Sequence, residues 1–176
     1  MKRLHWFLWG ALLAVALPAG AQKLSKEEKA VRQEKGLAEA QALLESRQFE
    51  VEILHVYPQG GGDVSRFNPR GRITVKDSVA EGNLPFFGRA YSLPYGEGGG
   101  IEFDAPMKNP QVKMLKKKKK QSVMFSFSVP GKGDTYQITI EMMGGDGCSV
   151  FLVSNNRTQI SYSGKIKALE RKDKEI

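Results

Sequence analysis

From residue 49 onwards the chain alternates between apolar and polar positions, which is the pattern of β-strands with one buried face. In the first such run Phe49, Val51 and Ile53 alternate with Glu50 and Glu52. Similar runs recur up to about residue 168 and predict a mainly β domain. The residues predicted to face its interior are Phe49, Val51, Ile53, His55, Tyr57, Ile73, Val75, Ile101, Phe103, Val112, Met114, Val123, Phe125, Phe127, Val129, Tyr136, Ile138, Ile140, Met142, Ile160, Tyr162, Gly164 and Ile166.

Short turns separate the later runs and predict how the strands connect. Pro130-Gly131-Lys132-Gly133, Gly144-Gly145-Asp146-Gly147 and Asn155-Asn156 supply residues that tolerate positive φ in tight hairpins. Neighbouring strands must then pair, so eight or nine strands form an antiparallel up-and-down meander. We expect the meander to close into a lipocalin-like barrel, with a two-layer sandwich as the alternative. The centre of the core is expected to contain Phe125, Phe127, Ile138, Ile140 and Ile160.

A helix is predicted before the first strand. Ser25 precedes Glu28 by three residues, the spacing of a capping box, and the helix should run from Lys26 to about Arg47. Its apolar stripe, with Val31, Ala38 and Ala42, is weak because alanine buries little area. We therefore expect this N-terminal segment, residues 22–47, to lie on the surface at one end of the β domain.

The first 21 residues have the pattern of a secretory signal peptide. Lys2 and Arg3 precede an apolar run from Leu4 to Leu17, and the small residues Ala19 and Ala21 fit the site of a signal peptidase. We expect cleavage after Ala21, which leaves a mature chain beginning at Gln22. A retained membrane anchor is the alternative, although the run is shorter than the roughly 20 residues that a bilayer span needs. The β domain then covers residues 48–169, and residues 170–176 form a charged tail.

The composition suits one packed domain and offers little for catalysis. Apolar residues make up 40% of the chain, enough for a core. Cys148 is the single cysteine, so neither an intramolecular disulfide nor a cysteine-rich zinc site can form, and removal of His5 with the leader leaves His55 as the one imidazole. We expect a buried, inert thiol at Cys148 rather than a pair with His55, and a protein that is not an enzyme and uses no metal or cofactor.

A run of lysines is the strongest charge feature. Five are consecutive, from Lys116 to Lys120, and the mature chain keeps 25 basic against 19 acidic residues, a net charge of +6. Lysines on an edge strand or hairpin oppose edge-to-edge aggregation, which is the interpretation we favour. Weak contact with an anionic membrane or polysaccharide is the alternative, and export argues against nucleic acid. The candidate anion-binding residues are Lys116, Lys117, Lys118, Lys119 and Lys120.

Aromatic residues concentrate between positions 86 and 96. This density either packs a strand crossing, with Arg89 stacked on a tyrosine or paired to an acid, or lines a ligand pocket. Arg89 would suit a carboxylate or phosphate, and Gly164 could leave space for a ligand among Ile160, Tyr162 and Ile166. The candidate ligand-binding residues are Phe86, Phe87, Arg89, Tyr91, Tyr95 and Tyr162.

The same segment carries a resemblance to a known family. The stretch Leu84-Pro85-Phe86-Phe87-Gly88-Arg89-Ala90-Tyr91-Ser92, followed by Pro94-Tyr95-Gly96 and Gly99-Gly100-Ile101-Glu102-Phe103, resembles the domain of unknown function 4251 (DUF4251) family of small secreted proteins from Bacteroidetes-type bacteria. Asp77-Ser78-Val79 and the ending Ser154-Asn155-Asn156-Arg157 with Ile160-Ser161-Tyr162-Ser163-Gly164 extend it. The resemblance implies a lipocalin-like β fold and a place in the periplasm or outer envelope of a Gram-negative bacterium. It implies no activity.

Two short motifs resemble glycosylation acceptors. Asp77-Ser78-Val79 is similar to an O-glycosylation triplet of such bacteria, and Asn156-Arg157-Thr158 fits the N-glycosylation pattern. Three residues match readily by chance, and Asn156 is already needed for a turn.

Two functions follow from these patterns. The first is noncatalytic binding of a small amphipathic or apolar ligand in the interior or mouth of the barrel. The alternative is a structural or protein-interaction module with a self-filled core, whose lysine-rich edge or N-terminal helix meets another envelope component. The size of the interior separates them, and the sequence leaves that size and the oligomeric state open.

Overall fold

A computed structural model describes residues 25–64, 70–92, 99–117 and 120–169. The predicted leader (1–21) and charged tail (170–176) lie outside these residues. In this part of the chain, no helix is long and apolar enough to cross a membrane. The elements are α1 (Lys26–Ser46), β1 (Gln48–Pro58), β2 (Gly71–Lys76), β3 (Val79–Leu84), β4 (Ile101–Pro106), β5 (Lys108–Lys117), β6 (Lys120–Gly131), β7 (Asp134–Met142), β8 (Gly147–Val153) and β9 (Ile160–Ala168).

All nine strands belong to one antiparallel sheet that curls into a half-barrel. The strand order is β4-β3-β2-β1-β9-β8-β7-β6-β5, so β4 and β5 lie at opposite edges. These two strands are nevertheless consecutive in the chain, with only Met107 between them. The sheet must therefore curl until its edges meet at Met107, and β4 lies against β6. The predicted antiparallel meander is confirmed, and the two-layer sandwich is excluded.

The concave side of the sheet is filled by its own side chains. The predicted central core residues Phe125, Phe127, Ile138, Ile140 and Ile160 are all buried. The Phe125 ring lies 5.7 Å from the Phe49 ring, edge to face, and 5.3 Å from the Phe127 ring. Such aromatic contacts bury large areas and add a geometric preference of their own.

The positions of β1 that face the interior change partway along the strand, from odd-numbered to even-numbered residues. The prediction that His55 and Tyr57 face the interior is therefore wrong. Phe49, Val51 and Ile53 are buried as expected, but His55 and Tyr57 are exposed and Val56 is buried instead. In the ladder with β9, Ile53 pairs with Gly164 and His55 with Ser163, which leaves Leu54 as an extra residue. A bulge of this kind shifts every later side chain to the opposite face.

Gly164 has a different role from the predicted one. A methyl group at Gly164 would overlap the backbone carbonyl of Glu52 and lie 3.1 Å from the Ile53 Cα. The missing side chain thus admits the bulged backbone of β1, so the space beside Gly164 is already filled.

Strand β3 is absent from the sequence-based prediction, because Val79–Leu84 contains Glu81, Gly82 and Asn83, which have low strand propensity. The Phe103 ring covers Gly82 from β4 and occupies the space of the missing side chain.

At the other edge of the sheet, Met114 was predicted to face the interior but is 55% exposed, because β5 is the last strand of the sheet.

The helix has the predicted start but packs through a different stripe. Ser25 and Glu28 form the capping box in both directions. Val31, Ala38 and Ala42 are exposed, and the residues that enter the core are Leu37, Ala40 and Leu44. The C-terminal half of α1 therefore belongs to the core, contrary to a surface position, while its N-terminal half is exposed.

A glycine exchange tests the close approach of β1 and β9. Gly164→Ala should lower the free energy of unfolding by about 1–3 kcal/mol, since backbone atoms rather than a flexible side chain oppose the new methyl group. The control is Gly147→Ala, where nothing lies within 4 Å of the added carbon. Urea denaturation measures both, and equal midpoints for the two variants would contradict the assigned contact.

Candidate functional site

One end of the half-barrel is covered by a segment that we call the strap, Pro85–Ser92. The strap runs beside the β8–β9 loop, residues 154–159, and pairs with it through the backbone. The Thr158 N–H donates to the Arg89 carbonyl at 2.9 Å, and the Tyr91 N–H donates to the Asn156 carbonyl at 2.8 Å. The Arg89 N–H also donates to the Thr158 hydroxyl at 3.1 Å. These bonds fix the strap as part of the fold.

Two candidate ligand residues instead pack the strap onto the barrel. Phe86 is partly buried against the core. Tyr162 is 1% exposed, and its hydroxyl donates to the Pro85 carbonyl at 2.9 Å. Burial raises the pKa of Tyr162 above its usual range, so the phenol stays protonated and keeps donating. These contacts correspond to the packing interpretation of the aromatic segment.

Arg157, in the β8–β9 loop, stacks on an aromatic ring, a contact that the sequence did not indicate, while stacking of Arg89 on Tyr95 falls outside the described residues. The Arg157 guanidinium lies 5.1 Å from the centre of the Phe86 ring, and its Nη1 donates to the Gly99 carbonyl at 3.1 Å. Its Nε lies 3.9 Å from Asp134 Oδ2, and the two side chains are 2% and 6% exposed. This buried pair joins the β8–β9 loop to the start of β7.

No sequence signal identified Arg157 and Asp134 as partners. Arg157 was noted only in the family-like ending and in a three-residue glycosylation pattern, and Asp134 was not singled out. Their contact depends on how the β8–β9 loop folds back toward the start of β7, which residue spacing does not reveal.

Three further candidates lie on the strap, and a fourth follows it in the chain. Phe87, Arg89 and Tyr91 are exposed, and Tyr95 lies outside the described residues. Of the five candidates that the structure describes, Phe86 and Tyr162 are therefore packed into the fold and the other three are exposed. Their role in ligand binding stays a prediction.

Three lysines of the run lie where β5 ends and β6 begins: Lys116, Lys117 and Lys120. Strand β5 is an edge strand, in which Lys116 pairs with Gln121 and Lys117 with Lys120. Lys113, Lys116 and Lys120 are exposed. Lys118 and Lys119 lie outside the described residues. The hairpin position agrees with the predicted edge, while contact with an anionic surface stays a prediction.

Cys148 and His55 lie on different faces of the sheet. Cys148 is buried, as predicted, and its burial, assisted by the nearby Asp146 carboxylate, raises the pKa of the thiol to about 12. A thiol with this pKa is protonated at neutral pH and a poor nucleophile. His55 is on the exposed face, where its Nδ1 lies 3.1 Å from Asp63 Oδ2.

The two glycosylation-like motifs both take part in turns. Ser78 is exposed in the β2–β3 turn, and its carbonyl accepts the Met107 N–H at 2.7 Å. Asp77 in the same turn has a φ of 53° and accepts a hydrogen bond from Gln48. The Asn156 amide donates to the Gly133 carbonyl at 3.1 Å. Glycosylation of Ser78 stays untested.

A family profile and a solved structure both match this chain. Residues 31–166 match the profile of a family described as "Domain of unknown function (DUF4251)". A crystal structure of a DUF4251 family protein from Bacteroides eggerthii DSM 20697 is similar, with 22% identity and a TM-score of 0.52 over 77% of this chain and 91% of that one. At this identity the likeness shows the fold alone. No curated protein matches.

Removal of one hydroxyl group tests the structural role of Tyr162. Tyr162→Phe should lower the free energy of unfolding by about 1–2 kcal/mol, because it leaves the Pro85 carbonyl without its donor. Tyr57→Phe, at an exposed tyrosine, is the matched control and should change little. Thermal unfolding compares the variants, and an unchanged midpoint for Tyr162→Phe would show that the bond does not hold the strap.

Proposed function

We propose that the chain, which belongs to the DUF4251 family, is a noncatalytic interaction module of the bacterial cell envelope that docks on an anionic component through the lysines of the β5–β6 hairpin. The family has no established activity, so the proposal rests on the residues of this chain. An envelope location is supported by the resemblance of residues 1–21 to a cleavable signal peptide.

The filled interior supports an interaction module over a carrier of small apolar ligands. Phenylalanine rings from β1 and β6 contact each other across the concave side. Tyr162, the candidate expected to face a ligand there, is buried and bonded to the strap. A bound apolar molecule would have to displace these contacts, so the hypothesis of an internal ligand has less support.

A noncatalytic role is supported by the state of the thiol. Cys148 lies on the buried face with its pKa raised to about 12, while His55 lies on the exposed face. A nucleophile and a general base must be within hydrogen-bonding reach of each other, and these two are not on the same side of the sheet.

The main support for the proposal comes from three exposed lysines of the β5–β6 hairpin, which we call the hairpin lysines: Lys113, Lys116 and Lys120. They lack the acidic partners that other lysines of the described residues have. On the outer face, Lys165 lies 3.1 Å from Asp146 and Lys167 lies 3.2 Å from Glu50. In the ranges that the structure covers, no ion pair includes Lys113, Lys116 or Lys120. Their charges add to one positive field at the hairpin tip, which attracts phosphate groups on lipids or lipopolysaccharide.

Salt-dependent sedimentation with anionic vesicles tests the docking surface. The mature protein should sediment with phosphatidylglycerol-containing vesicles at about 0.1 M salt and be released at about 1 M, because the Debye length falls from ~10 Å to ~3 Å. The triple variant Lys113→Gln, Lys116→Gln, Lys120→Gln should lose most of this binding. Its thermal midpoint should stay nearly unchanged, since exposed lysines of this kind contribute no packing.

The control removes the same charge elsewhere: Lys29→Gln, Lys35→Gln, Lys76→Gln, all at exposed positions. It should bind almost as well as the wild type. A parallel assay with lipopolysaccharide shows whether the protein binds phosphate groups better on phospholipid headgroups or on a saccharide. The proposal is wrong if the wild type binds neither at low salt, or if both triple variants lose binding equally.

A further inference from the structure

Two exposed methionines lie near the hairpin lysines, at the end of the sheet where β6 begins. Met114 in β5 is 55% exposed, and Met143, directly after β7, is 57% exposed. The other methionines that the structure describes are buried or partly buried: Met107, Met124 and Met142. Exposed apolar side chains that cluster, unlike scattered ones, mark surfaces that bind another molecule.

The strand pairing places the two exposed methionines close to each other. Met114 pairs with Val123 on β6, and Val123 pairs with Met142 on β7, the residue before Met143. Neighbouring strands lie about 4.8 Å apart, so the backbones at Met114 and Met143 are separated by about 10 Å. Both methionines therefore lie at the same end of the sheet.

Lysines flank Met114 along β5. Lys113 directly precedes it, and Lys116 follows two residues later, so Lys116 and Met114 project from the same face of the strand. All three side chains are exposed, and in the described part of the chain no strand pairs with the outer edge of β5. Basic side chains around an exposed apolar one suit the interface of an anionic bilayer, where phosphate groups lie just above the acyl chains.

We propose that the β5–β6 hairpin docks on a phospholipid bilayer, with the hairpin lysines at the phosphate groups and Met114 and Met143 inserted at the boundary of the acyl chains. The inference rests on the proposed function and narrows its anionic component to a phospholipid surface.

Both side-chain types suit these depths. The methionine side chain is unbranched and flexible, so it adapts to an irregular apolar surface. The lysine stems are apolar and extend from the acyl boundary to the charged headgroups. Binding strength at such an interface depends on the apolar area buried and on the attraction between opposite charges together. Screening of the lysines by salt should therefore still release the protein.

A tryptophan reporter tests the insertion. Trp6 and Trp9 both belong to the predicted leader, so the mature chain contains no tryptophan and Met114→Trp adds a single fluorophore. With phosphatidylglycerol-containing vesicles at about 0.1 M salt, its emission should shift to shorter wavelength and be quenched by phospholipids that carry bromine on the acyl chains. The control is Tyr57→Trp, near the other end of the sheet, whose emission should neither shift nor be quenched.

Removal of the two apolar side chains tests their contribution to binding. The double variant Met114→Ser, Met143→Ser should raise the Kd for the same vesicles by about tenfold at low salt. Val153→Ser removes a side chain that is 44% exposed at the far end of β8, and it should leave the Kd unchanged. The thermal midpoints should stay near that of the wild type, because the replaced side chains are exposed.

The possible outcomes separate this inference from the proposed function. If the wild type binds vesicles but the Met114→Trp emission is neither shifted nor quenched, or if the double variant binds as well as the wild type, the inference is overturned and docking through charge alone stands. Binding to lipopolysaccharide without binding to phospholipid vesicles also overturns it. If the wild type binds neither, the proposed function fails, and this inference fails with it.

Discussion

The fold depends on one constraint, which is that the two edges of the sheet are joined through a single residue. Because β4 and β5 are separated only by Met107, the strands between them along the sheet must curl into a half-barrel. Curling creates the concave side that the phenylalanine rings fill. It also leaves β5 as an edge strand that carries the lysines, and it gathers the strap, the β6–β7 turn and the β8–β9 loop at the opposite end.

Because side chains fill the interior, we place the proposed binding to other molecules on the outer surface. Most buried residues of the half-barrel are hydrophobic, and burial holds the hydroxyl group of Tyr162 and the thiol of Cys148 in their protonated forms. Among the described residues, the hairpin lysines at one end of β6 have no ion pair, whereas Asp134 and Arg157 at its other end form a buried pair. The hairpin lysines suit an anionic surface.

The sequence patterns correctly predicted features that depend on residues close together in the chain. Alternation identified the strands around Phe125 and Ile138, glycine-rich turns predicted the meander, and Ser25 with Glu28 predicted the helix start. Strand β3 was missed because Gly82 is stabilised by a ring from the next strand. The bulge at Leu54 and the Arg157–Asp134 pair were missed because they arise from contacts between distant segments.

Native mass spectrometry of the protein released from its own envelope tests the filled interior most directly. The account predicts that the mature chain, exchanged into a volatile buffer, has the mass of the polypeptide without any bound apolar molecule. A stoichiometric lipid-sized apolar adduct that survives the exchange would contradict the account, because it would require a cavity among the side chains that we describe as close-packed.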